Sequence, residues 1–241
     1  MSIIPGLVAL VGGAEWSEGA SFDAELLERA GGEVLVLPTA AAFENPSKAV
    51  ATARSWFASL GGTAEGLMIL HRKEAEDPSN AERVRASRFV YLSGGSPLHL
   101  RSVLKGSTVW QALLEAWRDG AVVAGSSAGA MAMCDPMIDP RGGALTVGLG
   151  LVEELAVLPH YDADFDHLSV HSKAHRTITL AAGRFPIACI PERTALIRDP
   201  DGSWRQAGAG DVKVFLGGSN IPISRLSELN LPSAPTQEPA V

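Results

Sequence analysis

Ala121-Val122-Val123-Ala124-Gly125-Ser126-Ser127-Ala128-Gly129-Ala130-Met131-Ala132-Met133-Cys134 changes character twice within fourteen residues. An apolar, β-branched run of strand type gives way to six small residues, and these give way to helix formers. A serine between small residues at a strand-to-helix junction has the form of a nucleophile elbow. Its turn is so tight that only Gly, Ala or Ser fits around it, and its hydroxyl stands exposed at the carboxyl edge of a sheet. Gly125-Ser126-Ser127-Ala128-Gly129 matches the spelling G-x-S-x-G with Ser127 in the centre. The helix that follows directs its free N–H groups at the same spot, where an oxyanion would form. The spelling equally suits a small-residue turn that only lets a helix pack on a sheet.

Outward from this junction the same grammar repeats. Leu7–Val11, Glu33–Leu37, Gly66–Leu70, Phe89–Leu92 and Ala121–Ala124 read as strands buried on both faces. Between them, Phe22–Ala30, Ser47–Leu60, Ala81–Ala86, Leu98–Leu104 and Val109–Arg118 carry apolar residues at helical spacing. Ala30-Gly31-Gly32 and Leu60-Gly61-Gly62 supply glycine stops. Alternating strand and helix predicts an α/β fold with a parallel sheet covered on both faces. Beyond residue 150 the spacing predicts a helix over Leu168–Ala182. It also predicts antiparallel strands at Thr194–Arg198, Ser203–Ala207 and Val212–Leu216, the first two joined by a turn at Asp199-Pro200-Asp201-Gly202. A single catalytic domain over residues 1–230 is expected, with a proline-rich tail at 231–241.

The composition narrows the function by exclusion. With 241 residues, 46% hydrophobic and 20% charged, the chain has the profile of a globular protein able to bury an ample core. A formal net charge of −7 argues against a nucleic-acid or anionic-membrane partner. Cys134 and Cys189 lie in apolar settings and suggest no disulfide framework. The first residues lack a basic, signal-like segment, and no apolar run approaches membrane-spanning length, so a cytoplasmic protein is expected.

In open parallel sheets chemistry gathers at the carboxyl ends of the strands. Val11-Gly12-Gly13-Ala14 and Leu92-Ser93-Gly94-Gly95-Ser96 mark two such ends beside the Ser127 elbow. The first lacks the spacing of a dinucleotide fingerprint. The second could turn the Gly95 N–H toward a substrate oxygen, and with the N–H of Ala128 it would form an oxyanion hole. A serine nucleophile needs a base, and the base needs an orienting acid. His160, after Val157-Leu158-Pro159, is placed to emerge at a strand end. His167, His171 and His175 recur every fourth residue, as on a solvated helix face. Asp135, Asp139 and Glu192 are the carboxylates that could orient His160. Asp162-Ala163-Asp164-Phe165-Asp166 fails as a calcium loop, because His167 and Lys173 stand where glycine and glutamate are required. His160, Asp162 and His171 offer an alternative transition-metal set.

Taken in order, these segments resemble the serine peptidase family that contains cyanophycinase and the aspartyl dipeptidase peptidase E. The likeness runs roughly from Leu7 to Leu216. Leu7-Val8-Ala9-Leu10-Val11-Gly12-Gly13-Ala14-Glu15 is similar to its opening strand and loop, and Val36-Leu37-Pro38-Thr39-Ala40 to its second strand end. Tyr91-Leu92-Ser93-Gly94-Gly95 resembles its glycine turn, and Gly125-Ser126-Ser127-Ala128-Gly129-Ala130 its nucleophile motif. Leu158-Pro159-His160-Tyr161 resembles the segment bearing its histidine, and Ile190-Pro191-Glu192-Arg193-Thr194-Ala195 the one that supplies the acid in cyanophycinases. The resemblance implies a flavodoxin-like three-layer sandwich with a mostly parallel central sheet, like that of the class I glutamine amidotransferases.

The resemblance also implies a serine peptidase with Ser127 as nucleophile, His160 as base and Glu192 as acid, no cofactor or metal, and a possible homodimer. Two departures bear on substrate. Cyanophycinases carry R-x-R-x-x-R shortly after the histidine, whereas Lys173-Ala174-His175-Arg176-Thr177-Ile178-Thr179 has one lysine and one arginine. Where cyanophycinase has a glutamine after the glycine turn, Gly94-Gly95-Ser96-Pro97 has a proline. In aspartyl dipeptidases an arginine after the histidine holds the substrate carboxylate. Lys173 falls near that place, with Arg176 one helical turn on. The expected substrate is therefore a small peptide of aspartyl or isoaspartyl character. A cyanophycinase-like hydrolase and a silent binding protein of the same fold are the alternatives.

Overall fold

The computed structural model describes residues 5–161, 175–229 and 231. Its first half alternates strands and helices: β1 (Val8–Val11), α1 (Phe22–Arg29), β2 (Glu33–Leu37), α2 (Pro46–Ser59), β3 (Thr63–Gly66), α3 (Arg72–Ala75), α4 (Pro78–Ala86), β4 (Phe89–Leu92), α5 (Pro97–Leu104), α6 (Thr108–Arg118), β5 (Val122–Ser126) and α7 (Ala128–Met133). The helix starts are set by side chains that take orphan N–H groups. Asn45, Asp77, Ser96 and Ser107 accept from Lys48, Ser79, His99 and Trp110 respectively. Proline at the first helical position of α2, α4 and α5 sets the backbone angle without wasting a donor.

Four shorter strands follow: β6 (Cys134–Asp135) pairs parallel with β9 (Val152–Glu153), and β7 (Met137–Ile138) antiparallel with β8 (Leu145–Thr146). Then come β10 (Ala156–Leu158), the helical stretch α8 over 175–181, β11 (Ile187–Cys189), β12 (Thr194–Arg198), β13 (Trp204–Gly208), β14 (Lys213–Leu216), β15 (Ser219–Ile221) and α9 (Ser224–Leu229). The central sheet runs β13-β12-β1-β5-β4-β2-β3. β1 to β5 are mutually parallel within it, and β12 and β13 are antiparallel additions. Alternate residues of its strands feed two cores. Val8, Leu10, Val90, Leu92 and Val123 face α4 to α7, while Ala9, Val11, Phe89, Tyr91 and Val122 face α1 and α2. This is the three-layer α/β sandwich of flavodoxin type. The continuous apolar strands follow from it, because helices cover both faces.

Register decides what meets at the sheet's edge. Val11 lies opposite Ser126, and Leu92 opposite Gly125, so the three central strands end level. A second sheet, β10-β11-β14-β15, pairs β10 and β11 in parallel with Leu158 opposite Cys189. The segments after those two residues therefore leave side by side.

One expectation changes, and two are met over the residues described. The strand expected at Gly66–Leu70 lies earlier, at Thr63–Gly66. This is an edge strand, half exposed and not continuously apolar, while Leu67 and Ile69 are buried in the segment beyond it. The antiparallel strand expected at Val212–Leu216 forms over Lys213–Leu216, in the second sheet, where it pairs with β11. Of the helix expected at Leu168–Ala182, residues 168–174 lie outside the described residues. The part over 175–181 is helical and ends where Ala182 and Gly183 turn left-handed.

Candidate active site

Ser127 follows β5 with φ 47° and ψ −103°, a conformation costly for a residue with a side chain. Close packing imposes it. A Cβ on Gly125 would come within 2.7 Å of the Gly129 carbonyl carbon, and one on Gly129 within 2.4 Å of the Leu92 carbonyl oxygen. Ser127 stands at the cap position of α7 but makes no side-chain cap bond. Its Oγ instead lies 2.8 Å from Nε2 of His160. The neighbouring Ser126 is fully buried, with its hydroxyl turned away to Glu15. Adjacent side chains diverge at the elbow, and only Ser127 faces the histidine.

His160 and Glu192 come from the paired ends of β10 and β11. His160 has φ 56°, and its N–H donates to Gly12 O at 3.0 Å. Gly12 N–H donates to Thr194 O at 2.9 Å, and Arg193 N–H to Gly13 O at 2.8 Å. The loop after β1 thus stitches the histidine loop to the glutamate loop, and it must be glycine to pass between them. A Cβ on Gly12 would lie 2.0 Å from Pro191 O, and one on Gly13 only 2.4 Å from Cε1 of His160. So held, Nδ1 of His160 lies 3.1 Å from Oε1 of Glu192. The bond to the carboxylate would leave the proton on Nδ1 and Nε2 free to accept from Ser127, the tautomer that general-base work requires.

Ser127 and His160 open onto a cavity of about 210 Å³ lined by Gly95, Pro97, Met131, Ile138, Leu158 and Asp139, among others. Gly95 has φ 134°, and a Cβ there would strike Ala40 O at 2.3 Å, so the glycine turn after β4 lies tightly against the segment after β2. A larger cleft of about 430 Å³ near Glu33, Thr63 and Arg83 contains neither Ser127 nor His160. Asp139 is held ionised, with a pKa lowered to about 2 by its hydrogen bonds from Arg141. Asp135 lies 3.9 Å from Lys105. Of the three carboxylates that could orient His160, the structure brings Glu192 to it.

The other expected residues separate. Arg176 is exposed on α8, and the cavity lining does not include it. Lys173 lies outside the described residues, as do His167 and His171 and, with Asp162, two of the three members of the alternative metal set. Among the described residues no group of three His, Cys, Asp or Glu side chains is placed to hold a metal. Nor is any helix among them long and apolar enough to cross a membrane. The reading of the residues did not single out Gly13 as the close approach to His160, nor Asp139 as a cavity residue. Nor did it anticipate the bonds of Glu15, a residue quoted only as part of the opening loop. Each of these depends on contacts between distant segments, and the Gly12-Gly13 pair was the one local signal.

A model of peptidase family S51 matches residues 8–203. A cyanophycinase of Synechococcus elongatus is 25% identical over 224 residues, covering 87% of this chain and 67% of its own length. A cyanophycinase of Trichormus variabilis is 29% identical over 182 residues, 73% of this chain and 58% of its own. The chain thus spans roughly three fifths to two thirds of these relatives. Among solved structures, a peptidase from an acI-B1 actinobacterium superposes with TM-score 0.80 at 27% identity, over 92% of this chain and 95% of that one. A putative peptidase E protein from Listeria monocytogenes EGD-e superposes with TM-score 0.63 at 20% identity, over 88% and 98%, a likeness of fold.

Proposed function

The chain belongs to peptidase family S51 and is a serine-type peptidase; from that premise we propose that it hydrolyses small peptides through a triad of Ser127, His160 and Glu192. The observation that carries this reading is the unbroken chain Ser127 Oγ, His160 Nε2, His160 Nδ1, Glu192 Oε1, with contacts of 2.8 and 3.1 Å. Ser127 Oγ attacks the scissile carbonyl carbon while His160 Nε2 takes its proton. Glu192 holds the imidazole in place and stabilises the cation that results. The carbonyl oxygen becomes an oxyanion that accepts from the N–H groups of Gly95 and Ala128. Collapse expels the amine, which takes the proton from Nε2. Water, activated by the same nitrogen, then releases the acyl group and restores Ser127.

The finer reading is a preference for aspartyl or isoaspartyl peptides. It rests on the position of Lys173 and Arg176 after the histidine and on the family resemblance. A cytoplasmic homodimer free of metal and cofactor completes this picture. A second reading, hydrolysis of an aspartate-backbone polymer, draws on the cyanophycinase relatives. A fluorophosphonate probe followed by a dipeptide library tests both levels. Labelling of wild type and not of Ser127→Ala supports the nucleophile, and an unlabelled wild type favours a silent binding protein. Cleavage of neutral or basic dipeptides as fast as acidic ones overturns the acidic preference.

A further inference from the structure

Glu15 lies in the loop that leaves β1, between Ala14 at φ 48° and Trp16 at φ 57°. Left-handed residues on both sides of one residue persist only where the surroundings over-determine them. The half-buried Glu15 carboxylate uses both of its oxygens. Oε1 accepts from Gly94 N–H at 2.9 Å, and Oε2 accepts from the Ser126 hydroxyl at 2.7 Å. Gly94 immediately precedes Gly95, and Ser126 immediately precedes Ser127. One side chain therefore spans the two segments that carry the oxyanion donors of the mechanism above. The fit leaves little slack: a Cβ on Gly94 would stand 3.1 Å from Glu15 Oε1 and 3.7 Å from Ser127 Cβ.

We propose that Glu15 is a positioning residue that sets the spacing between the Gly95 and Ala128 N–H groups, so that both reach one substrate oxygen. The inference rests on the Ser127 triad. β4 and β5 are joined by backbone bonds only as far as Leu92 and Gly125. Beyond that register the ladder gives the two segments no pairing, and Glu15 links them there. Charge-assisted hydrogen bonds to a carboxylate are shorter and stronger than neutral ones, which suits a clamp. Glutamine can keep both bonds, its amide oxygen accepting from Gly94 N–H and its amide nitrogen donating to the Ser126 oxygen. Alanine keeps neither.

The test is labelling of Ser127 by a fluorophosphonate probe, whose phosphoryl oxygen occupies the oxyanion position, resolved into a maximal rate and a half-saturating concentration. Loss of one oxyanion donor costs about 10²- to 10³-fold in rate, and a loosened donor should cost less. Glu15→Ala should lower the maximal rate by about 10- to 100-fold and leave half-saturation within about two-fold. Glu15→Gln should label within about three-fold of wild type, and Ser126→Ala should fall about three- to ten-fold. Glu15→Ala/Ser126→Ala should be no slower than Glu15→Ala, because both substitutions cut one connection. The pH dependence of labelling should keep its midpoint throughout, because His160 and Glu192 are untouched. Wild-type rates in Glu15→Ala, a Gln variant as slow as Ala, or multiplying effects in the double variant would each overturn the proposal. If Glu15→Ala does not fold, Ser126→Ala and Glu15→Gln decide by the same criteria. An unlabelled wild type overturns the triad and this inference together, whereas a labelled wild type indifferent to Glu15 overturns the inference alone.

Discussion

Ser127 and Ser126 are chemically identical neighbours with opposite surroundings, and the difference is one of backbone direction. At φ 47° the Ser127 hydroxyl meets His160, and one residue earlier the Ser126 hydroxyl is buried on Glu15. Ser127→Ala should lower kcat by at least about 10⁴-fold with the thermal midpoint preserved, since the nucleophile itself is lost. Ser126→Ala should retain at least a tenth of the activity. Measured side by side on one peptide, the reverse ranking would place the nucleophile one residue upstream. Glu192→Gln keeps the size of the side chain but removes the charge that stabilises the imidazolium. A loss of about 10²- to 10⁴-fold in kcat is expected.

The loop between β1 and α1 is the element on which the site depends. Gly13 passes so close to His160 that Gly13→Ala must displace the ring, and φ 139° is itself strained for alanine, at about 1–3 kcal/mol. A shift of about 1 Å in a catalytic group costs roughly 10²-fold, so kcat should fall by that order while KM changes little. A variant with wild-type kcat would mean that the loop yields rather than the histidine. Further on, α1 carries Asp23, fully buried, with Trp56 Nε1 donating to Oδ2 at 2.8 Å and no partner for Oδ1 among the described residues. Burial, with Glu15 as a nearby like charge, raises its pKa from 3.8 to about 7. Between those values the folded protein holds a proton that the unfolded chain has lost, so stability falls as pH rises from about 4 to about 7. Asp23→Asn accepts the same bond from Trp56 and should flatten that slope in urea unfolding. An unchanged slope would move the titration elsewhere.

At the scale of the whole molecule, two sheets cooperate. The central sheet positions Ser127 and the glycine turn, and the β10–β11 pair of the second sheet positions His160 and Glu192. The cavity between them is mostly apolar, with Asp139, the partner of Arg141, in its wall. The proposed preference for acidic substrates assigns that selection to Lys173 and Arg176, in the segment that follows His160 in sequence. A charge-assisted contact is worth about 1.5–3 kcal/mol, so Lys173→Met should lower kcat/KM for acidic dipeptides about 10- to 100-fold and leave neutral ones unchanged. Equal losses on both classes would remove Lys173 from substrate recognition, and Arg176→Met then takes the same comparison.

Local chemistry was enough to specify the parallel α/β core. Apolar runs such as Phe89–Leu92, with caps, prolines and glycine stops around them, dictate elements whose covered faces leave one arrangement, and the elbow at Ser127 needs only its own small residues. The edge strand Thr63–Gly66 is not legible in the sequence, because an exposed strand has no apolar run to declare it. The short strands β6 to β9 are not legible either, because pairs two residues long carry no period. The histidine and glutamate are legible as candidates from strand ends and from the resemblance, which singles out Glu192 among the three carboxylates, and the pairing of Leu158 with Cys189 puts Glu192 beside His160. Glu15 had no local sign at all. Its two bonds join residues 79 and 111 positions away, and contacts of that range are set by register and packing, which exist only once the chain has folded.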